Sequence, residues 1–251
     1  MINLYKGDCL EVMKQIESQS IDAIITDPPY GTTACKWDSV IPFEPLWEQL
    51  NRIIKPNGAI VLFGSEPFSS ALRMSNIKNY KYDWIWNKVN AVNFVNAKIQ
   101  PLRQNENISV FYKKQCLYNP IMVKRNKKNI RHTKRKNGTG NMEVYGLSKN
   151  IDFNGSRKYA YPKNILTYNK RSKELHPSKI LHPTQKPVAL MEYLIKTYTN
   201  EDETVLDFTM GSGSTMVACQ NTNRNGIGIE QDDHYFKIAK KRIEENKYKL
   251  F

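Results

Sequence analysis

Four short apolar runs constrain the fold of this 251-residue chain most tightly: Ile21–Thr26 (IDAIIT), Ala59–Phe63 (AIVLF), Thr204–Phe208 (TVLDF) and Gly226–Glu230 (GIGIE). Most are dense in β-branched residues and are bounded by proline or glycine, as strands buried on both faces are. Helix-period segments follow them. Residues 43–54 carry apolar side chains at 43, 46, 47, 50, 53 and 54, and Pro56-Asn57-Gly58 is expected to end that helix. Further helices are expected over 10–16, 67–74, 187–198, 214–221 and 235–248, and further strands over 2–5, 82–87 and 108–112. Buried strands alternating with helices specify an α/β domain: an open twisted, mostly parallel sheet with helices on both faces.

That alternation fades between Lys113 and Lys179, where Gly, Asn and Lys become frequent. The same stretch holds the charge. Residues 113–180 carry 18 Lys or Arg against three acids, whereas the whole chain is only +14. We therefore expect residues 1–112 and 181–251 to form two halves of one domain, separated by a basic insertion over 113–180. Excess positive charge confined to one stretch fits a polyanion such as nucleic acid. A solvated basic loop or a membrane surface stays open on composition alone. Lys124, Arg125, Lys127, Lys128, Arg131, Lys134, Arg135 and Lys136 are the candidate phosphate contacts, and interleaved aromatics such as Tyr159 and Tyr161 could reach bases.

The four cysteines lie far apart, so neither a disulfide framework nor a metal site is expected. No apolar run approaches 18 residues, and MINLYKGDCLEV lacks a signal-peptide layout. The expectation is a cytoplasmic protein without a membrane span.

Two turns carry candidate chemistry. The first, Asp27-Pro28-Pro29-Tyr30, follows the run 21–26 directly; read alone, it is either a capped turn or a pocket that accepts hydrogen bonds and offers a flat ring. The second, Gly211-Ser212-Gly213, follows Asp207, and the next strand ends in Glu230, an acid placed to accept from ribose hydroxyls in a βαβ unit. It lacks the Gly-Lys-Ser/Thr of a nucleotide-triphosphate loop and the full G-x-G-x-x-G of dinucleotide sites.

These two motifs, with His182-Pro183-Thr184-Gln185-Lys186-Pro187 between them, resemble the β class of amino-group DNA methyltransferases. The resemblance covers nearly the whole chain apart from the insertion. It implies a Rossmann-like methyltransferase fold, S-adenosylmethionine as cofactor, and Asp27, Pro28, Pro29 and Tyr30 as the catalytic loop. It places Asp207 and the Gly211-Ser212-Gly213 backbone at the methionine end of the cofactor, Glu230 on its ribose, Asp8 and Cys9 by its adenine, and Thr184 and Lys186 closing the methionine side, and it counts Phe208 and Thr215 among the cofactor-binding residues. Thr209 stands where the family has Phe. The insertion becomes the target-recognition region, and Lys36 and Trp37 after the catalytic loop are candidates to close over a flipped base.

Asp27 favours adenine-N6 as the target, with cytosine-N4, an RNA adenine, or binding without catalysis as alternatives. The partners that the resemblance admits are double-stranded DNA, a cognate restriction enzyme and a second copy of the chain.

Overall fold

A computed structural model describes residues 1–33, 38–125, 158–169, 181–182 and 185–247. These residues group into two compact units, one of 1–119 with 164–251 and a smaller one of 120–163. The smaller unit's boundaries fall inside the 113–180 expected from the sequence. It contains the two-residue strands β6 (Val123–Lys124) and β7 (Tyr159–Ala160), which pair antiparallel.

The larger unit is built on an eight-stranded sheet. Its strands are β1 (Ile2–Lys6), β2 (Ile21–Thr26), β3 (Ile54–Gly64), β4 (Tyr80–Val92), β5 (Arg103–Phe111), β8 (Ile165–Thr167), β9 (Thr204–Asp207) and β10 (Asn225–Glu230), in the order β1-β10-β9-β2-β3-β5-β4-β8. Only β5 runs against the rest. The helices are α1 (Cys9–Met13), α2 (Phe43–Ile53), α3 (Phe68–Ser75), α4 (Val188–Tyr198), α5 (Ser214–Asn221) and α6 (Asp233–Lys247).

Two cores lie on the two faces of the sheet, as both-face burial of the central strands requires. Leu46, Trp47 and Leu50 of α2 pack with Ile24, Ile60 and Leu206. Leu190, Leu194 and Met216 pack with Ile25, Val61 and Val205 on the other side. Each such fully buried side chain contributes about 1.5–3 kcal/mol. In the second core the Tyr198 hydroxyl takes the Trp84 indole N–H at 2.6 Å and meets the Tyr82 hydroxyl at 3.0 Å, so a buried oxygen has partners.

The structure departs from the sequence reading in three places. Pro56-Asn57-Gly58 does not end the second helix. That helix stops at Ile53, and the three residues lie in a bulge of β3, where Lys55 to Gly58 stand opposite Asp22 alone between the pairs Ile21–Ile54 and Ala23–Ala59. A bulge tolerates proline because no ladder N–H is needed there. The strands expected over 82–87 and 108–112 are parts of a longer hairpin, β4 with β5, in which Ile108–Phe111 is the end of β5. Residues 165–167, read as part of the insertion, extend the main sheet beside β4. Among the described residues no helix is long and apolar enough to cross a membrane.

Candidate active site

β2 and β9 lie side by side, with Ala23 opposite Val205 and Ile24 opposite Leu206. From β2 the chain proceeds to β3 on one side; from β9 it proceeds to β10 on the other. Diverging connections leave a crevice at the carboxyl ends of the two strands. A cavity of about 640 Å³ opens there, within the range of small-molecule sites. Its wall includes Asp8, Cys9, Asp27, Pro28, Pro29, Tyr30, Lys186, Asp207, Phe208, Gly211, Ser212, Thr215 and Glu230, so thirteen residues singled out from sequence share one cleft. Gly213 does not line it. Its φ of +77° instead turns the chain into α5, a left-handed conformation that glycine adopts without strain.

The loop after β2 is held from both sides. Asp38 accepts backbone N–H groups of Tyr30, Gly31, Thr32 and Thr33 at 2.6–2.9 Å. Burial lifts the Asp38 carboxyl, but a hydrogen bond from the Thr33 side chain together with those backbone N–H groups outweighs it and leaves its pKa below the ordinary value. The Tyr30 ring stacks on Phe68 with centroids 5.1 Å apart, and its hydroxyl donates to Asp27 Oδ1. Lys186 Nζ pairs with Asp27 Oδ2. Burial raises the Asp27 pKa against the pull of Lys186.

The loop after β9 is tied to the first. Asp207 accepts the hydroxyls of Thr26 and Thr215 and the Thr209 N–H at 3.2 Å. Even so, burial pushes its pKa up to about 6. Thr209 Oγ1 lies 2.7 Å from Thr26 Oγ1 and 3.1 Å from the Asp27 carbonyl oxygen, to which it donates. The threonine that departs from the family pattern therefore ties the two loops together. Phe208, its neighbour, is 1% exposed, packs with the α1–α3 core and lines the cleft.

Glu230 receives Gly211 N at 2.9 Å on one oxygen and Asp232 N at 2.7 Å on the other, which orients a carboxylate whose pKa burial raises. Asp8 caps α1 through Leu10 N at 2.8 Å, and burial pushes the neighbouring Cys9 thiol up to about 12, so it stays protonated.

Lys186 also lines the cleft. Its ammonium sits between Asp27 and Glu106, 3.3 Å from Glu106 Oε2. The sequence reading missed Glu106, Thr26, Thr209 and Gln185. Gln185 Oε1 accepts from Leu181 N at 3.0 Å and Ser212 Oγ at 3.3 Å, and its place within the HPTQKP stretch was the available signal. Glu106 gave none, being one acid in the polar strand start RQNEN. The His182 ring packs on Tyr235 with centroids 4.0 Å apart, and burial lowers its pKa to about 4, so it is neutral at pH 7.

Of the candidate DNA contacts, Lys124 and Arg125 are exposed on the β6–β7 ribbon, where Arg125 Nε donates to the Tyr159 carbonyl at 3.1 Å. Lys36, Trp37, Lys127, Lys128, Arg131, Lys134, Arg135, Lys136 and Thr184 lie outside the described residues.

The chain is similar to the type II methyltransferases M.HpaI of Haemophilus parainfluenzae (29% identical, 95% of this chain and 73% of the relative) and M.HinfI of Haemophilus influenzae (28%, 97% and 68%). The structure is similar to that of M1.HpyAVI in complex with SAM, with a TM-score of 0.61 and 29% identity over 96% of this chain and all of that one. It shares its fold with the PvuII cytosine-N4-specific DNA methyltransferase, with a TM-score of 0.65 at 17% identity over 99% of this chain and 92% of the other. A model of the DNA methylase family of N6 and N4 methyltransferases matches residues 21–241, and the chain, with its two tied loops at the switch point of the sheet, belongs to that family.

Proposed function

We propose that this DNA methyltransferase moves the methyl group of S-adenosylmethionine to the exocyclic N6 of an adenine flipped out of DNA. The observation that carries the reading is the placement of the Asp27–Tyr30 loop and the Asp207–Gly211 turn in one cleft. The donor set fits the cofactor. Asp207 and Glu230 are buried or half-buried carboxylates suited to an amino group and a ribose diol, and Gly211 lines the same cleft. Asp207, Ser212 and Thr215 would hold the methionine end, Glu230 the ribose, and the Asp8–Cys9 segment the adenine. Bound there, the cofactor supplies a methyl group activated by a sulfonium.

The remaining chemistry belongs to the chain. The lone pair of an adenine amino group is delocalised into the ring. Asp27 and the Pro28 carbonyl accept its two hydrogens, draw the nitrogen toward tetrahedral geometry and free that lone pair for attack. Pro28 and Pro29 fix the loop and bring no competing N–H. Tyr30 offers its ring to the flipped base, a contact of about 1–3 kcal/mol. Positioning and electrostatics supply most of the rate in such a displacement. Asp27 favours adenine over cytosine.

The basic insertion is the target-recognition element in this reading, and a cognate restriction enzyme, a homodimer and a cytoplasmic location belong to the same proposal. Support comes from the names of the relatives as type II enzymes and from the charge of residues 113–180.

The test is nucleoside mass spectrometry after separate incubations with unmethylated DNA and with RNA, each with deuterated-methyl S-adenosylmethionine. Labelled N6-methyladenine, absent with Asp27→Ala, is the expected result. Labelled N4-methylcytosine would overturn the base assignment, and label on RNA alone would overturn the substrate.

A further inference from the structure

Four buried charged groups run in a line from the catalytic loop into the β4–β5 hairpin. Asp27 pairs with Lys186, Lys186 with Glu106, and Glu106 with Lys88; their side chains are 17%, 7%, 13% and 7% exposed. Buried charges are tolerated only when paired, so the alternation is needed for the four to coexist. The pairing is uneven. Lys186 hydrogen-bonds Asp27 Oδ2, whereas among the described residues the buried Glu106 Oε2 has only a 3.3 Å ion-pair contact with Lys186 Nζ. Glu106 Oε1 is taken by Lys88. Aromatic faces fix the two cations. Lys186 Nζ stands 5.1 Å from the Phe63 ring centre and 5.8 Å from that of Trp86, and Lys88 Nζ stands 5.4 Å from Trp86. A lysine so enclosed has two carboxylates to choose from and little else.

We infer that Lys186 is a positioning residue for methyl transfer, keeping the Asp27 carboxylate ionised and aimed, and that Glu106, anchored by Lys88, competes for it and so sets how strongly it acts. The inference rests on the proposed role of Asp27 as acceptor of the target amino group. An ionised carboxylate accepts more strongly than a neutral carboxyl, and Asp27 sits where burial opposes ionisation. Lys186 counters that opposition; Glu106 weakens the countering both by sharing the lysine and by like-charge repulsion. Among the described residues the other titratable groups facing this line are Tyr30, which donates to Asp27, Asp38 behind Tyr30, Asp207 across the Thr26–Thr209 link, and His182, whose ring feels Lys186. All are untouched by the substitutions below.

The two carboxylate-side effects have opposite signs. Removing the cation should raise the pKa of Asp27 and shift the acid limb of the rate profile to higher pH, by about one unit or more. Removing the rival anion should shift it to lower pH. The experiment measures single-turnover methylation of duplex DNA from pH 5 to 9 for the full-length protein and for Lys186→Met, Lys186→Arg and Glu106→Gln, alongside the dissociation constant for S-adenosylmethionine. The expected result is an acid limb moved up in Lys186→Met, moved down in Glu106→Gln and restored toward wild type in Lys186→Arg, with cofactor affinity changed less than threefold. The charge-neutral double variant Lys186→Met/Glu106→Gln should fall between the singles, which keeps the test decisive if Lys186→Met alone folds poorly.

Rates that fall in both variants with unmoved acid limbs would overturn the inference and leave a structural role. So would a more than tenfold loss of cofactor affinity in Lys186→Met with its limb in place, which returns Lys186 to the cofactor side. A wild-type protein that methylates no DNA would overturn the functional reading beneath it and the inference together; an active wild type with unmoved limbs overturns the inference alone.

Discussion

Asp207 offers the sharpest test of the site's electrostatics, because it is fully enclosed and yet designed around charge. Three donors reach it, but burial still holds its pKa at about 6, against 3.8 in the open. The shift of roughly two units corresponds to about 3 kcal/mol. The sign follows from proton counting. Between pH 4 and 6 the folded chain holds a proton on Asp207 that the unfolded chain has lost, so stability from this residue falls as pH rises through that window and is flat above about pH 7.

Asp207→Asn removes the titration while keeping the shape. The difference in unfolding free energy, wild type minus variant, should therefore drop by about 2.4 kcal/mol from pH 4 to pH 7, with other groups cancelling. In urea, at roughly 3 kcal/mol per molar for a chain of this size, that is about 0.8 M in relative midpoint. The assay is a series of urea melts at pH 4, 5, 6, 7 and 8 on both proteins without cofactor. A difference that stays constant with pH, or grows with it, would refute the reasoning. A carboxylate kept ionised at such an expense belongs to a site that needs negative charge, and the same variant should lose at least tenfold in affinity for S-adenosylmethionine by calorimetry.

His182 acts with the opposite sign. With its pKa lowered to about 4 from 6.5, it loses stability for the fold as pH falls from 6.5 toward 4, so acid melts of His182→Gln should show a shallower decline than wild type. Gly228→Ala would drive a methyl group into the Met210 sulfur, with Met216 at 3.1 Å and Leu4 at 3.2 Å, and should destabilise by about 1–3 kcal/mol in thermal or urea melts. Tyr30→Phe keeps the stack on Phe68 and should retain most target-base binding, whereas Tyr30→Ala should weaken it roughly 5- to 150-fold, read by fluorescence of 2-aminopurine at the target position. Asp38→Ala removes the acceptor of four backbone N–H groups and should lower the single-turnover rate at least tenfold while cofactor affinity holds, since the loop it fixes carries Tyr30.

The strands and both chemical turns were legible because each announces itself locally. A run such as Ile21–Thr26 is apolar on both faces wherever it sits, and glycines at 211 and 213 mark backbone that must turn. The β3 bulge was not legible, since Pro-Asn-Gly is a turn signal in almost any context and only the pairs Ile21–Ile54 and Ala23–Ala59 on either side show that the chain resumes the same sheet. Residues 165–167 looked like part of the basic insertion because three residues carry no period of their own; β4 supplies their partner. At the site, motif reading found side chains that belong to motifs. It could not find Glu106, which matters only because β5 runs antiparallel between β3 and β4 and brings its polar end to Lys186. Nor could it foresee that Lys186 faces a carboxylate.

The order of the strands also sets a timetable for synthesis. β1 pairs with β10, Ile2 opposite Gly226, and β2 pairs with β9 across some 180 residues. At about 5–20 residues per second, β1 waits roughly 10–45 s for its neighbour to leave the ribosome. Until then β2 has only β3 beside it, with one edge bare, and the catalytic loop has no facing wall. Contacts so distant in sequence close late and slowly. A nascent chain lacking residues 204–230 therefore carries the Asp27–Tyr30 loop without the pocket that makes it reactive, and methylation begins only when the last strand has docked.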